Sequence, residues 1–415
     1  MQAPSYKLQL RNPAIAVAQK GQHQSNSSAA VERRNKPLPV PSVRHSKRAN
    51  PLPLVSVVIP AYNAAAFITR TLESVIKQTY RQLEILVVDD GSSDRTPQIV
   101  RAYAQADPRI KLLQQANAGV AAARNFGIRS ANGEFIAPID ADDIWHPEAM
   151  TKIMDQFLAG SSDLGVVYTW SADIDEHNQQ TGGFHAAEVD GDVYKTLICH
   201  NFLGNASSTV IRKACLDNVG GYNRQLKAQG AQGCEDWDLY LRLAEQYKFG
   251  VVPEFLVGYR KVLGSMSGDF RQMARSQRIM LDAVQQKHPE IPGFLYRLSR
   301  SSFYLYLAHQ CDSSSHVRGT LFWLRQAIKI DPVTPFIRLG LHALFFRSVF
   351  LWLSQKGILP QRKENLSELS SASHTASKAV RKAAYDGTLA LEISRSAIWL
   401  KVSVGRMLHR SLSRV

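Results

Sequence analysis

The chain has 415 residues, 45% of them hydrophobic and 9% aromatic, enough for one large domain or two smaller ones with a sizeable core. Its formal charge of +15 sits at the two ends. Residues 1–50 carry nine Lys/Arg against the single acid Glu32, a net of +8, and residues 361–415 carry ten against four, a net of +6. That leaves +1 for residues 51–360, and with no interleaved basic and aromatic motif no nucleic-acid partner is expected. Cys199, Cys215, Cys234 and Cys311 show neither close pairs nor zinc-ligand spacing, so free thiols in a reducing compartment are expected.

Residues 1–50 lack an apolar run of signal-peptide length and read as a disordered basic arm; their scarcity of acids also fits an organellar transit segment. Order begins after Pro53. Leu54-Val55-Ser56-Val57-Val58-Ile59-Pro60 is a β-branched strand with a proline stop. Residues 65–79 follow at helical spacing, with Phe67, Ile68, Leu72, Val75 and Ile76 on one face. A second strand at 83–88 runs into Asp89-Asp90-Gly91-Ser92-Ser93-Asp94, where Ser93 or Asp94 caps the next helix. A short strand at 110–113, an Ala-rich helix at 118–130 and a strand at 134–139 complete the alternation.

Such alternation predicts a mainly parallel sheet with helices on both faces. Ligands of such sheets bind beyond the carboxyl ends of the strands. Here those ends carry Tyr62-Asn63, Asp89-Asp90 and Asp140-Ala141-Asp142-Asp143, three polar loops expected on one rim. Further strands are expected at 165–170, 209–211 and about 251–252, with a helix through 236–247. From about 271 the pattern is all-helical, and residues 323–332 resemble the second half of a tetratricopeptide-type hairpin, although a single unit makes no repeat array.

Three carboxylates within four residues repel one another unless solvated, protonated or paired with a cation. Oxygen ligands of this kind suit Mg²⁺ or Mn²⁺, above all when a diphosphate completes the shell. Acids of this kind also serve as turns and caps, and Asp89-Asp90 can accept hydrogen bonds from a base or ribose or simply cap a turn. Arg124 can offer charge to a phosphate or be purely structural. Asp236, at a helix start, suits the dipole as well as it suits a general base.

Six segments in order resemble the family 2 glycosyltransferases, inverting enzymes with a GT-A fold, over about residues 55–267. They are Val55–Asn63, Ser74–Tyr80, Val87–Thr96, the Asn117-x-Gly119…Ala123-Arg124-Asn125-x-Gly127 helix, Asp140–Asp143 and Glu235-Asp236. The resemblance implies an α/β GT-A domain at 51–270; the all-helical pattern beyond it gives a helical extension at 271–360 and a basic, partly helical tail at 361–415. It implies a nucleotide-diphosphate sugar, UDP-linked by expectation, as donor. Tyr62 and Asp90 would hold the base with Asp89 beside them, Arg124 would serve the nucleotide and diphosphate, and Asp140 the ribose and metal. Asp142 would be the principal contact to Mg²⁺ or Mn²⁺, and Asp236 the catalytic base with Glu235 alongside. Relatives carry a His before a Ser-Met-Ser run; here Tyr259-Arg260-Lys261-Val262-Leu263-Gly264-Ser265-Met266-Ser267 keeps the run without the His, and Lys261 is the nearest replacement charge.

The implied acceptor is a hydroxyl in a polysaccharide, lipid-linked or protein glycan. The alternative is a catalytically silent sugar-nucleotide- or partner-binding module with the same fold. Residues 336–353 are mostly apolar but contain Arg338, His342 and Arg347, so a docking or interfacial helix is expected rather than a membrane span. Residues 389–412 place Ile393, Ala397, Leu400, Val404 and Met407 along one stripe. Peripheral membrane contact through these two segments, at the cytoplasmic face, is the matching expectation, with a solvated helical tail as its competitor.

Overall fold

The computed structural model describes residues 52–261, 269–314, 316–333, 342, 344–349, 353 and 394–413. The basic arm at 1–50, the Ser-Met-Ser run and most of 336–353 and 361–393 lie outside the described residues.

Chain order opens with β1 (Val55–Ala61), α1 (Ile68–Ile76), β2 (Leu83–Asp89), α2 (Thr96–Ala106), β3 (Ile110–Gln114), α3 (Val120–Ser130) and β4 (Phe135–Pro138). It continues with β5 (Ile144–Trp145), α4 (Ala149–Ala159), β6 (Leu164–Ile174), β7 (Gln180–His185), α5 (Tyr194–Cys199), β8 (Thr209–Arg212), α6 (Lys213–Val219), α7 (Gln225–Ala228), α8 (Glu235–Ala244) and β9 (Lys248–Arg260). The helices α9 (Phe270–Lys287), α10 (Gly293–Ser313), α11 (Val317–Ile330) and α12 (Arg395–Leu412) follow.

The strands form one mixed sheet in the order β3-β2-β1-β4-β8-β6-β9-β5, with β7 on β6. β1 pairs in parallel with β2 and β4, and β2 with β3. β8 is antiparallel to β4 and β6, while β6 and β9 are parallel. The mainly parallel α/β expectation holds.

β1 and β2 are buried along their whole length because helices cover both faces. Val57, Ile59, Ile85 and Val87 face one core with Leu72 and Val75 of α1, Val100 of α2 and Met150 and Ile153 of α4. Val58, Leu86 and Ile136 face the other, with Ala121 and Ile128 of α3 and Trp237 and Tyr240 of α8. The period of two in the strands thus divides the apolar residues between two layers. Met280, Leu281, Leu295 and Tyr296, from α9 and α10, join this second core. Truncating a fully buried residue such as Ile59 to Ala is worth about 2–5 kcal/mol.

Elements short or irregular in pattern were not foreseen: β5 has two residues and β7 contains two glycines, and both exist by pairing onto longer strands. β9 extends far beyond its expected 251–252 because β6 templates it from Leu164 to Ile174. Asp94 lies just ahead of the helix start, its carboxylate accepting the Thr96 N–H at 2.9 Å and the Ala65 N–H at 3.0 Å. α10 and α11 pack together around Leu307, Cys311, Trp323 and Leu324. All four cysteines are free and buried. Among the described residues no helix is long and apolar enough to cross a membrane.

Candidate functional site

The ends of β1, β2 and β4 bring the three polar loops together. The Asp90 N–H donates to the Ala61 carbonyl at 2.8 Å, and Asn63 Oδ1 accepts the Ser93 N–H at 2.9 Å. The Asn63 N–H in turn donates to Ser92 Oγ at 2.9 Å, and this double link stitches the loop after β1 to the loop after β2. Tyr62, beside it, is 55% exposed.

Asp90 is almost fully buried, and its carboxylate accepts Gln115 Nε2 at 2.7 Å and the N–H groups of Ala118 and Gly119 at 2.8 Å each. These amides lie at the N-terminal end of α3, where an acid is favoured by unsatisfied N–H groups and the helix dipole. Asp90 therefore builds the loop that launches α3. Three of the roughly four acceptor positions of a carboxylate are filled, which leaves one for a ligand. Asp89 is also buried, accepting the Ser92 N–H at 3.2 Å and Gln114 Nε2 at 3.1 Å. Gly119 adopts φ +92°, a conformation that an L side chain rarely takes, and an added Cβ would stand 2.6 Å from Lys227 Cδ.

One turn into α3, Arg124 joins two distant acids. Its Nη2 donates to Asp140 Oδ1 at 2.5 Å and its Nη1 to Asp236 Oδ1 at 2.6 Å. Arg124 is 3% exposed, its guanidinium lies 5.1 Å from the Tyr222 ring centroid, and its Nε has no hydrogen-bond partner. Burial opposes the arginine charge, but Asp140 and Asp236 override it, so the group titrates well above its ordinary value.

The acid loop after β4 is held from beneath. The Asp140 N–H donates to Ser207 Oγ at 3.0 Å, and the Ser207 hydroxyl donates to Asp143 Oδ2 at 2.5 Å. Asp143 is fully buried and also accepts the Arg260 N–H at 2.8 Å. Burial and the neighbouring Asp142 and Asp140 raise its pKa well above the carboxylate range. Arg260 Nε donates to the Asp142 carbonyl at 2.6 Å. Asp143 thus anchors the loop, while Asp140 and Asp142 remain as the acids at its surface.

Asp142 is pushed up to about 6 by burial and by Asp140, against the pull of Arg260 and Lys261. A shielded carboxylate beside a second acid gains from a cation. Among the described residues no group of three or more His, Cys, Asp or Glu could hold a metal ion. Asp140 and Asp142 share this loop, and Asp140 is already paired with Arg124.

Asp236 stands in the first turn of α8 with 26% of its side chain exposed. Burial pushes it up to about 6 against the pull of Arg124, with Asp140 and Glu235 adding to the rise. Glu235 differs: it is 5% exposed and accepts the Gly233 N–H at 2.9 Å, steadying a turn in which Gly233 has φ +113°. Ser207, Tyr222 and Lys227 were not singled out from the sequence, where they belong to no motif. Lys227 Nζ donates to Asn117 Oδ1 at 2.8 Å, and Asn125 holds the Tyr222 backbone on both sides at 2.8 Å.

Residues 56–209 match the family described as Glycosyl transferase family 2. The chondroitin synthase of Escherichia coli is 31% identical over 214 residues, which is 51% of this chain and 29% of that protein. The hyaluronan synthase of Pasteurella multocida is 31% identical over 202 residues, 48% of this chain and 20% of that protein. The alignments therefore span less than a third of these relatives. Among solved structures, the mannosyltransferase PcManGT from Pyrobaculum calidifontis, in complex with GDP-Man and Mn²⁺, is 20% identical with a TM-score of 0.45, covering 80% of this chain and 87% of that one. Residues 56–209 thus carry the sequence pattern of the family 2 glycosyltransferases on a mixed, mostly parallel sheet.

Proposed function

We propose that the chain transfers a sugar from a nucleotide-diphosphate sugar to an acceptor hydroxyl, with inversion at the anomeric carbon. The observation that carries this reading is Arg124, a buried cation that ties the acid loop at Asp140 to the acid at the start of α8, Asp236. Tyr62 stacks on the base, which is uracil in this reading, and Asp90 offers it the remaining acceptor position beside Asp89. Asp140 and Asp142 hold Mg²⁺ or Mn²⁺, which when bound neutralises diphosphate charge. Arg124 supplies fixed positive charge at the departing nucleoside diphosphate.

Asp236 is the base. It takes the proton of the acceptor hydroxyl as that oxygen bonds to the anomeric carbon, and the bond from this carbon to the diphosphate oxygen breaks. One displacement inverts the centre, and no covalent glycosyl-enzyme forms. Glu235, committed to the Gly233 turn, supports Asp236 by position. Lys261, just past the end of β9, adds charge near Asp142 in place of the absent histidine. The acceptor is a glycan, either lipid-linked or part of a growing polysaccharide or protein glycan; relatives named for chondroitin and hyaluronan synthesis support the polysaccharide arm. The compartment is the cytoplasm, at a membrane face, in keeping with four free buried thiols.

The test is release of nucleoside diphosphate from a panel of UDP-, GDP- and TDP-sugars with Mg²⁺ or Mn²⁺. The expected result is metal-dependent release with one donor class, lost in Asp142→Ala. No release with any donor, together with unchanged donor binding by Asp142→Ala, would leave only a silent binding module.

A further inference from the structure

The last helix, α12, has two faces with different fates. Its inner face docks on the domain: Val402 is 7% exposed and joins Trp170, Phe184 and Phe255, while Leu412 is 5% exposed and joins the larger core. Polar ties reinforce the contact. Lys401 Nζ donates to the Phe184 carbonyl at 2.6 Å, Thr196 Oγ1 and His409 Nδ1 share a hydrogen bond at 2.8 Å, and Arg406 pairs with Glu188.

The outer face is apolar. Trp399 is 69% exposed, Leu400 58%, Val404 51% and Met407 65%. At about 100° per residue these four fall within an arc of about 140°. The rest of that arc holds Ser396, Ser403, Arg410 and Ser411, with Arg406 at its edge, and residues 394–413 contain no Asp or Glu. The stripe expected from spacing is therefore divided: Leu400, Val404 and Met407 face outward with Trp399, and Ala397 packs inward.

We propose that this outer face of α12 lies on an anionic lipid surface. Charge and size both favour lipid over protein. Exposed Arg410 lies within an acid-free apolar strip, with half-exposed Arg406, already paired with Glu188, at its edge. This is the composition of a helix that rests in a headgroup layer, with Trp399 as the interfacial side chain. A stable protein interface takes roughly 20–30 residues a side, and four apolar side chains on one helix fall far short of that. The inner face leaves α12 bound to the domain throughout, so the sheet rides on the surface through a fixed helix. The inference is independent of the catalytic roles assigned above.

The test is flotation of the 415-residue chain with vesicles of phosphatidylcholine alone and of phosphatidylcholine mixed with phosphatidylglycerol. Binding to the mixed vesicles is expected, weakened by salt, with a blue shift of tryptophan emission that is reduced in Trp399→Phe. The double variant Leu400→Ser/Met407→Ser should lower the partition coefficient at least about tenfold, and Arg410→Glu should weaken binding to mixed vesicles alone. All these positions are outward, so the melting temperature should hold; if the double variant fails to fold, Arg410→Glu and the emission shift still decide. No binding to mixed vesicles would overturn the proposal, as would binding unchanged in both variants. Concentration-dependent self-association abolished by the double variant, or protection of Trp399 from solvent in the lipid-free chain, would assign the face to a second copy or to residues 334–393 and overturn it equally.

Discussion

Arg124 Nη2 lies 2.5 Å from Asp140 Oδ1, at a guanidinium whose side chain is only 4% exposed. With Asp236 on its other nitrogen, one buried cation balances two acids that are 96 residues apart in the chain. Removing one member of such an arrangement leaves an uncompensated charge, at a cost of about 3–5 kcal/mol. Arg124→Ala should therefore destabilise by that order in denaturant unfolding. Arg124→Lys keeps the charge but loses the planar fork. It should retain the fold and lower kcat/KM for nucleoside diphosphate release by at least about a hundredfold.

Asp236 is raised to about 6 in the free protein. A carboxylate acts as a base only when deprotonated, so kcat/KM should fall as pH drops through about 6 and stay level above it. Asp236→Asn keeps an oxygen for Arg124 and should lose about 10²–10⁴-fold in turnover while binding donor normally. A pH profile flat across this range would exclude Asp236 as the base.

Ser207 tests support without touching the proposed chemistry. Its hydroxyl donates to the fully buried Asp143 and accepts the Asp140 N–H. Ser207→Ala leaves the buried Asp143 carboxyl group short of one donor, and a loss of about 1–3 kcal/mol in unfolding free energy is expected. Ser207→Thr, which keeps the hydroxyl, should recover part of it.

Gly119 combines φ +92° with a close approach to Lys227. Gly119→Ala should cost about 1–3 kcal/mol from backbone conformation alone. Because the Gly119 N–H binds Asp90, the variant should also weaken donor binding in calorimetry, raising KM more than it lowers kcat.

The parallel half of the sheet was legible in the sequence. β1 and β2 are apolar, β-branched runs buried along their whole length, β4 is a short buried apolar run, and β3 is a half-exposed run at the sheet edge; each is set off by Gly, Pro or Asp nearby. The rim loops could be placed on the same grounds, since they follow those strands directly. β5 and β7 were not legible, because two residues or a glycine-rich stretch carry no period of their own and become strands only beside β9 and β6.

The candidate site divides in the same way. The residue types, Tyr62, Asp89, Asp90, Arg124, Asp140, Asp142, Glu235 and Asp236, stood out by order and motif. Their environments did not: Asp142 and Asp143 are adjacent, yet one remains at the loop surface as a candidate cation ligand and the other is sealed under Ser207 and Arg260. Asp90 and Glu235, read as binding and catalytic acids, also hold backbone turns. Sequence by itself determined the strands β1 to β4 and which acids follow them, because those depend on neighbours a few residues away. Tertiary structure decided which acids Arg124 neutralises, which are buried, and which face of α12 is left to solvent, because charge balance and burial depend on groups that chain folding brings together from far apart.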